Sequence, residues 1–288
     1  VALTWTAPTS NGGSALTDYV IEYSTNSGTT WITFADSVST TASVTVSGLT
    51  NGTGYVFRVS AKNAAGTGLP STSSSSVMPR TAPSAAQSVV GVAGNAQVAL
   101  TWSAPSSNGG DAISDYVVQY SSDGTTWTTF TDSVSSTASC TVTGLTNGTA
   151  YTFRVAAVNA SGTGMYSVVS AAVTPFTTPG APTAVAGVTG NAQVAVSWTA
   201  PASNGGSAII QYKVSYAPEG SDSYGTWSVA TATQSSSTSF TVTGLTNGTS
   251  YKFKVAATNA AGDSSYATSL AAVIAYTTPN APTSVVGT

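Results

Sequence analysis

Carboxylates are the only side chains in this sequence that could supply general acid–base chemistry near neutral pH, because its 288 residues include no histidine. The absence of histidine excludes Ser-His-Asp and Cys-His triads and metal sites that need imidazole. A glycosidase-like site would need two carboxylates at a fixed separation. Asp18 and Asp115 match between two repeated segments, but Gln211 stands at that place in the third, and no carboxylate recurs in all three. The sequence therefore predicts that the chain is not an enzyme and needs no cofactor. The ten acidic residues are Asp18, Glu22, Asp36, Asp111, Asp115, Asp123, Asp132, Glu219, Asp222 and Asp263.

One acidic pair, Glu219 with Asp222, is the best local candidate for a calcium site. Calcium needs several clustered oxygen ligands, and this pair offers few. We favour the alternative that residues 217–225 form a longer hairpin loop, so no metal site is predicted.

Three tryptophans that follow Gly-Thr turns could contact sugars. These are Trp31, Trp127 and Trp227. An exposed indole can stack on a sugar ring, which would give each repeat a weak carbohydrate platform. The alternative, which we favour, is that each indole covers a sheet edge as part of the core.

Four asparagines match the N-glycosylation acceptor pattern. Asn51, Asn147 and Asn247 begin Asn-Gly-Thr triplets, and Asn159 begins Asn-Ala-Ser. Asn-Gly also forms tight turns, which explains the recurrence of the triplets without a glycan. The turn is the favoured interpretation for a bacterial source and the glycan for a eukaryotic one.

The charge content argues against a nucleic-acid partner, and the lack of a long apolar run argues against membrane insertion. Charged residues make up 6% of the chain, with 7 basic and 10 acidic side chains, against about 25% in an average soluble domain. The basic residues are spread along the chain rather than clustered, so we interpret them as solvated side chains and expect no nucleic-acid partner. No apolar run reaches about 18 residues, so no membrane insertion is expected in this segment.

Single-cysteine usage excludes an internal disulfide. Cys140 occupies the place that Val44 and Phe240 hold in the other repeats, so the sequence predicts a small buried hydrophobic residue there.

The sequence repeats itself about every 100 residues, which is the size of a whole domain. Each copy contains an early tryptophan, a Leu-Thr-Asn-Gly-Thr-x-Tyr string and an Asn-Ala-x-Gly string; the tryptophans are Trp5, Trp102 and Trp198. Within each copy, large apolar residues alternate with polar ones, as in Tyr19 to Tyr23 and Tyr55 to Val59. This period of two predicts strands with one buried face and no helices.

These motifs resemble those of the fibronectin type III family. The resemblance rests on Trp5 followed by Ala7-Pro8, on the Tyr-x-Ile/Val-x-Tyr strand, and on the string that ends at Tyr55, and it covers nearly the whole chain. It implies an all-β chain of three tandem immunoglobulin-like Greek-key β-sandwiches, with tyrosine-corner residues Tyr55, Tyr151 and Tyr251. The Ser-Asn-Gly-Gly loops look similar to those of bacterial members.

The predicted modules are residues 1–80, 81–178 and 179–279, followed by 280–288 as the first strand of a further module. Proline-containing linkers favour an extended rod. Module 1 lacks an opening strand in the sequence as it stands. We therefore expect either that the sequence is a window of a longer array or that the strand with Val285 and Val286 completes the first module of a neighbouring copy; we favour the window.

Together these features predict a structural or adhesive repeat segment of a large extracellular or cell-surface protein. It would act as a rod-like spacer or assemble into a filament, sheath or layer, with neighbouring copies or adjacent repeats as partners. The alternative is a carbohydrate-binding or spacer segment of a secreted polysaccharide-degrading enzyme, with surface polysaccharide as a partner.

Overall fold

The computed structural model describes residues 1–220, 227–230, 235–284 and 286. Every regular element in these residues is a β-strand, and the strands group into three successive modules. None of the elements is a helix that could cross a membrane. The expected all-β architecture of three sandwiches is confirmed.

Module 2 shows the arrangement most completely. One sheet has the order β11-β8-β7 and the other the order β10-β9-β12-β13, so the chain crosses repeatedly between the two sheets. Its strands are β7 (Gln87–Gly94), β8 (Gln97–Ser103), β9 (Asp115–Ser121), β10 (Thr128–Thr129), β11 (Ser139–Thr143), β12 (Thr152–Asn159) and β13 (Gly162–Thr163).

Module 3 repeats this plan and adds two short strands beside β19. Its sheets have the orders β14-β15-β18 and β17-β16-β19-β20, with β21 and β22 also paired to β19. The strands are β14 (Thr183–Gly190), β15 (Gln193–Thr199), β16 (Gln211–Pro218), β17 (Ser228–Val229), β18 (Ser239–Thr243), β19 (Ser250–Asn259), β20 (Gly262–Asp263), β21 (Ala267–Thr268) and β22 (Val273–Ile274).

Module 1 has the same larger sheet, in the order β3-β2-β5-β6, but its smaller sheet is the pair β1-β4. Its strands are β1 (Ala2–Thr4), β2 (Leu16–Ser24), β3 (Ile32–Thr33), β4 (Ser43–Thr45), β5 (Val56–Asn63) and β6 (Gly66–Thr67).

The core of each module lies between its two sheets and follows the alternation in the sequence. In module 2, Phe153 and Val155 of β12 are fully buried, while Arg154 between them points to the outer face. Burying a side chain of this size contributes about 1.5–3 kcal/mol. The early tryptophan packs in the core too, since the rings of Trp102 and Tyr116 lie 5.1 Å apart, edge to face.

The tyrosine corner that the resemblance implied is present in all three modules. The hydroxyl of Tyr55 accepts a hydrogen bond from the backbone N–H of Thr50 at 2.9 Å. The equivalent bonds to Tyr151 and Tyr251 measure 3.2 and 3.0 Å. This bond fixes the turn that carries each Asn-Gly-Thr triplet to one end of its module.

Candidate functional site

The joints between modules bring together two glycine-containing turns. At the first joint, the Asn51-Gly52 turn of module 1 meets Gly110 in the Ser-Asn-Gly-Gly loop of module 2. A Cβ atom on Gly110 would overlap the backbone nitrogen of Gly52 and lie 2.7 Å from the carbonyl carbon of Asn51. At the second joint a Cβ atom on Gly206 would lie 2.8 Å from the carbonyl carbon of Asn147. The same backbone-on-backbone contact therefore occurs twice.

A buried asparagine holds each linker against this loop. Asn159, which is 4% exposed, donates its Nδ2 hydrogens to the carbonyl oxygens of Thr81 at 2.9 Å and Asn108 at 2.7 Å. Asn259 makes the same two bonds, to Thr177 at 2.7 Å and Asn204 at 2.8 Å. Each asparagine thus ties the incoming linker to the loop that touches the preceding module.

A backbone bond completes the connection. The N–H of Thr81 donates to the carbonyl of Gly109 at 2.9 Å, and that of Thr177 donates to Gly205 at 2.8 Å. The linkers are therefore hydrogen-bonded parts of the following module rather than free tethers, in agreement with their proline content.

One ion pair distinguishes the two joints within the described residues. Arg80 of the first linker lies 3.0 Å from Asp111, and the two side chains are 46% and 23% exposed. An ion pair with this exposure contributes little to stability. The shared glycine and asparagine contacts, rather than charge, define the joint.

The end of module 1 that bears its Ser-Asn-Gly-Gly loop contains a cavity of about 650 Å³, lined by Trp5, Tyr19, Asn63 and Gly68 among others. In module 2 the residue equivalent to Asn63 binds the linker, and a Cβ atom on the residue equivalent to Gly68 would overlap the carbonyl of Pro83. The strand proposed to complete such a module includes Val286, which is exposed, and Val285, which lies outside the described residues. Pairing of that strand with a neighbouring copy stays a prediction.

The candidate glycosylation asparagines take part in the turns. Asn147 accepts a hydrogen bond from the Ala96 N–H and donates to Asn95, both at 2.8 Å. Asn247 makes the equivalent bonds to Ala192 and Asn191. These bonds support the turn interpretation.

The other two acceptor asparagines differ sharply in access. Asn51 is exposed. The Nδ2 of Asn159 is buried and makes the two joint bonds, so a glycan on that nitrogen is incompatible with the folded joint.

The second tryptophan set lies half-buried on the outer face of the larger sheet, and each indole is covered by a cation. The Arg58 guanidinium lies 4.2 Å from the centre of the Trp31 ring, and Arg154 lies 4.2 Å from that of Trp127. Lys254 is 4.4 Å from the Trp227 ring. The expectation that these three cations are free solvated side chains is wrong, because each one packs on a tryptophan ring. A cation over an aromatic face gains roughly 0.5–1 kcal/mol at exposed sites.

In modules 2 and 3 a second ring closes over the cation. Tyr166 lies 4.4 Å from the Arg154 guanidinium, and Tyr266 lies 4.5 Å from the Lys254 ammonium. The signal for this stack was available in the sequence, since a basic residue stands at the same place in all three repeats.

The partner of the stacked cation changes from module to module. The carboxylate of Glu22 accepts two hydrogen bonds from Arg58, Nε to Oε2 at 2.8 Å and Nη2 to Oε1 at 3.0 Å. These bonds lower the pKa of Glu22 and raise that of Arg58. Strand register places Gln119 opposite Arg154 and Ser215 opposite Lys254.

The remaining candidates are the acidic pair and the cysteine. Within the described residues, no group of three potential metal-ligating side chains occurs. Glu219 accepts a hydrogen bond from Ser250, and Asp222 of the acidic pair lies outside the described residues. Cys140 packs against the module 2 core while half-buried, and this burial raises the pKa of its thiol to about 12.

The match to a family model agrees with the fold. The family model for the fibronectin type III domain matches residues 1–77, 81–173 and 178–273. A solved structure, the crystal structure of chicken CNTN1 FN1-FN3 domains, is 23% identical and covers 96% of this chain and 94% of that one, with a TM-score of 0.37.

Curated relatives include both animal and bacterial proteins. M-protein of striated muscle from Gallus gallus is 32% identical over 195 residues, 65% of this chain and 13% of that protein. Exoglucanase B from Cellulomonas fimi is 33% identical over 258 residues, 83% and 22% of the two chains. Myomesin-2 from Homo sapiens is 29% identical over 271 residues, 91% and 18%. The chain therefore spans less than a quarter of the length of these relatives.

Proposed function

We propose that this chain, which belongs to the fibronectin type III domain family, is a non-catalytic repeat segment. It would space or connect other parts of a larger extracellular or cell-surface protein. The observation that carries the proposal is the repeated joint. The same two turns meet between modules 1 and 2 as between modules 2 and 3, and at each joint a buried asparagine ties the linker to a loop of the following module.

A repeated joint supports a spacer because it gives successive modules one preferred orientation. Each module in such an array contacts only its neighbours, so length grows with the number of modules. The longest strand, β19, has 10 residues, which corresponds to about 35 Å per module at about 3.4 Å per residue. Three modules in line would span about 100 Å. An extended rod is the shape that we expect from this geometry.

Lateral assembly into a filament, sheath or layer is the finer part of the proposal. It is supported by the low charge, because 7 basic and 10 acidic residues along 288 positions offer little repulsion between neighbouring rods. Copies of the same chain are the proposed partners, and no nucleic acid is expected as one.

A second candidate is favoured by the match to Exoglucanase B. In that case the three modules would be a spacer in a secreted bacterial polysaccharide-degrading enzyme, with catalysis in another part of the larger protein. The Ser-Asn-Gly-Gly loops that resemble those of bacterial members support this source.

Sedimentation velocity over a range of concentrations, together with negative-stain electron microscopy, tests both levels of the proposal. Single rods near 100 Å at low concentration would support the spacer. Ordered side-by-side arrays at high concentration would support lateral assembly, and rods that stay dispersed at every concentration would refute it. Compact particles would contradict the spacer itself.

A further inference from the structure

Module 1 contains a carboxylate bound to a stacked arginine, and this arrangement shows what the equivalent arginine in module 2 can bind. Arg58 is held flat by the Trp31 ring and donates two hydrogen bonds to Glu22. The pair is partly shielded from water, because the side chains of Arg58 and Glu22 are 26% and 20% exposed. Two parallel bonds between a guanidinium and a carboxylate combine affinity with fixed geometry.

Module 2 keeps the arginine and its platform but lacks the carboxylate. The Arg154 guanidinium packs on two rings, with its central carbon 4.2 Å from the centre of Trp127 and 4.4 Å from that of Tyr166. Gln119 stands where Glu22 stands in module 1, and its Oε1 accepts one bond from Arg154 Nε at 2.8 Å. The Nη1 and Nη2 groups of Arg154 form no hydrogen bond or ion pair with the part of the chain that the structure describes.

We propose that the guanidinium edge of Arg154, framed by Trp127, Tyr166 and Gln119, is a binding site for the carboxylate of an acidic sugar. The two rings fix the donor plane before the ligand arrives, which lowers the entropic cost of binding. A carboxylate at the free edge would accept from the Nη groups and supply the negative charge that Glu22 supplies to Arg58.

The surroundings favour a sugar acid over a polyanion. Arg154 is the only basic residue among the described residues of module 2 between Ala82 and Pro175, and an acidic peptide or a nucleic acid would need several cations to bind well. The neighbouring groups are aromatic rings, hydroxyls and an amide, and the Gln119 amide donates to Thr129 Oγ1 at 3.0 Å. The hydroxyl and amide groups suit the hydroxyls of a pyranose, because both can donate and accept hydrogen bonds.

Asp123 is the acidic residue of the turn that precedes Trp127, and its charge is directed into that turn. Its Oδ1 accepts hydrogen bonds from Ser121 Oγ and from the backbone N–H groups of Thr125 and Thr126. Those backbone bonds, rather than a cation, lower the pKa of Asp123. The carboxylate therefore leaves Arg154 available to an external ligand.

The site goes beyond the proposed spacer role and does not depend on it, because all its residues belong to one face of one module. Its occupancy and the shape of the rod can be measured separately.

The test is an NMR titration of the whole chain with monomeric galacturonate, which carries a single carboxylate. The signals to follow are the indole N–H of Trp127 and the Nε–H of Arg154. We expect saturable shifts of both signals at low salt, and at least tenfold weaker binding of uncharged galactose, since hydrogen bonds to charged groups contribute about 1.5–3 kcal/mol. An absence of saturable shifts with galacturonate would overturn the proposal.

Matched variants exploit the difference between the modules. Gln119→Glu gives module 2 its own carboxylate, so we expect at least a tenfold loss of galacturonate binding while the fold is kept. Glu22→Gln removes the carboxylate from module 1, so the Trp31 indole signal should begin to respond to the ligand.

Two results would contradict the assignment even if binding is seen. One is an unchanged titration in Gln119→Glu, with amide spectra that show a folded module 2. The other is equal or tighter binding of a glutamate-rich peptide, which would refute a sugar acid as the ligand.

Discussion

Replacement of Gly110 by alanine isolates the contribution of the joint, because the chain contains a matched control at Gly13. The two glycines occupy the same place in successive Ser-Asn-Gly-Gly loops, with φ values of +88° and +87°. A left-handed backbone costs alanine roughly 1–2 kcal/mol at either place. A Cβ atom on Gly13 would have no neighbour within 4 Å, whereas one on Gly110 would meet the turn of module 1.

The size of the displacement follows from the structure. The Cβ atom of Gly110→Ala would lie 2.7 Å from the carbonyl carbon of Asn51, and carbon atoms in good contact are about 3.5–4.0 Å apart. The first joint must therefore open by about 1 Å or rotate. The added Cβ atom has a fixed position and the atoms that it meets in module 1 are backbone atoms. No side-chain rotation can therefore relieve the overlap.

Residual dipolar couplings of the whole chain measure the result. In the natural protein we expect modules 1 and 2 to share one alignment tensor, as two parts of a rigid pair do. Gly110→Ala should give module 1 a different tensor, while Gly13→Ala should keep the shared one. Both variants should lower the stability of their own module by the same roughly 1–2 kcal/mol. A shared tensor in Gly110→Ala, or an equal change in Gly13→Ala, would refute the role of the glycine contact.

Three further predictions concern single residues. Asn159→Ala removes the two hydrogen bonds that hold the linker. We expect hydrogen exchange to show that the free energy of opening of module 2 falls by about 1–3 kcal/mol, and unchanged protection would contradict the role of Asn159. Tyr251→Phe removes the acceptor of the Thr246 N–H and should lower the free energy of unfolding of module 3 by about 0.5–1.5 kcal/mol, with no change in module 1. Burial raises the pKa of Cys140 from 9.0 to about 12, so its contribution to stability is present below pH 9 and is lost as the pH rises toward 12. Alkylation of Cys140 by iodoacetamide at pH 9 should therefore be much slower than that of an unfolded control, and equal rates would refute the shift.

The fold could be predicted from the sequence because its determinants are local and repeated. Alternation of apolar residues marks the strands, and three copies of the same string fix the module size. The string that ends at Tyr151 implied the tyrosine corner, which the hydroxyl of that residue forms with Thr146.

The joints were harder to predict because their contacts link residues far apart in the sequence. Asn159 and Thr81 lie 78 positions apart, and no local pattern indicates that an asparagine in one turn will hold a linker. The recurrence of Asn-Ala-x-Gly and Ser-Asn-Gly-Gly in every repeat is a signal in the sequence, but recurrence alone does not show that the two strings meet.

The outer-face cations were misjudged for a different reason. Alternation correctly places Arg154 outside the core, but an outward position does not by itself mean free solvation. Trp127 reaches Arg154 from a separate turn, and Tyr166 reaches it from the segment after β13. Sequence spacing alone cannot show that these three groups meet.

The central claim, that repeated joints hold three modules in an extended array, is tested most directly by small-angle X-ray scattering of the dilute protein. A rod of about 100 Å has a radius of gyration of about 30 Å. A compact globule of this chain length would have one of about 19 Å. We predict a value near 30 Å with a maximum dimension near 100 Å, and a value near 19 Å would contradict the account.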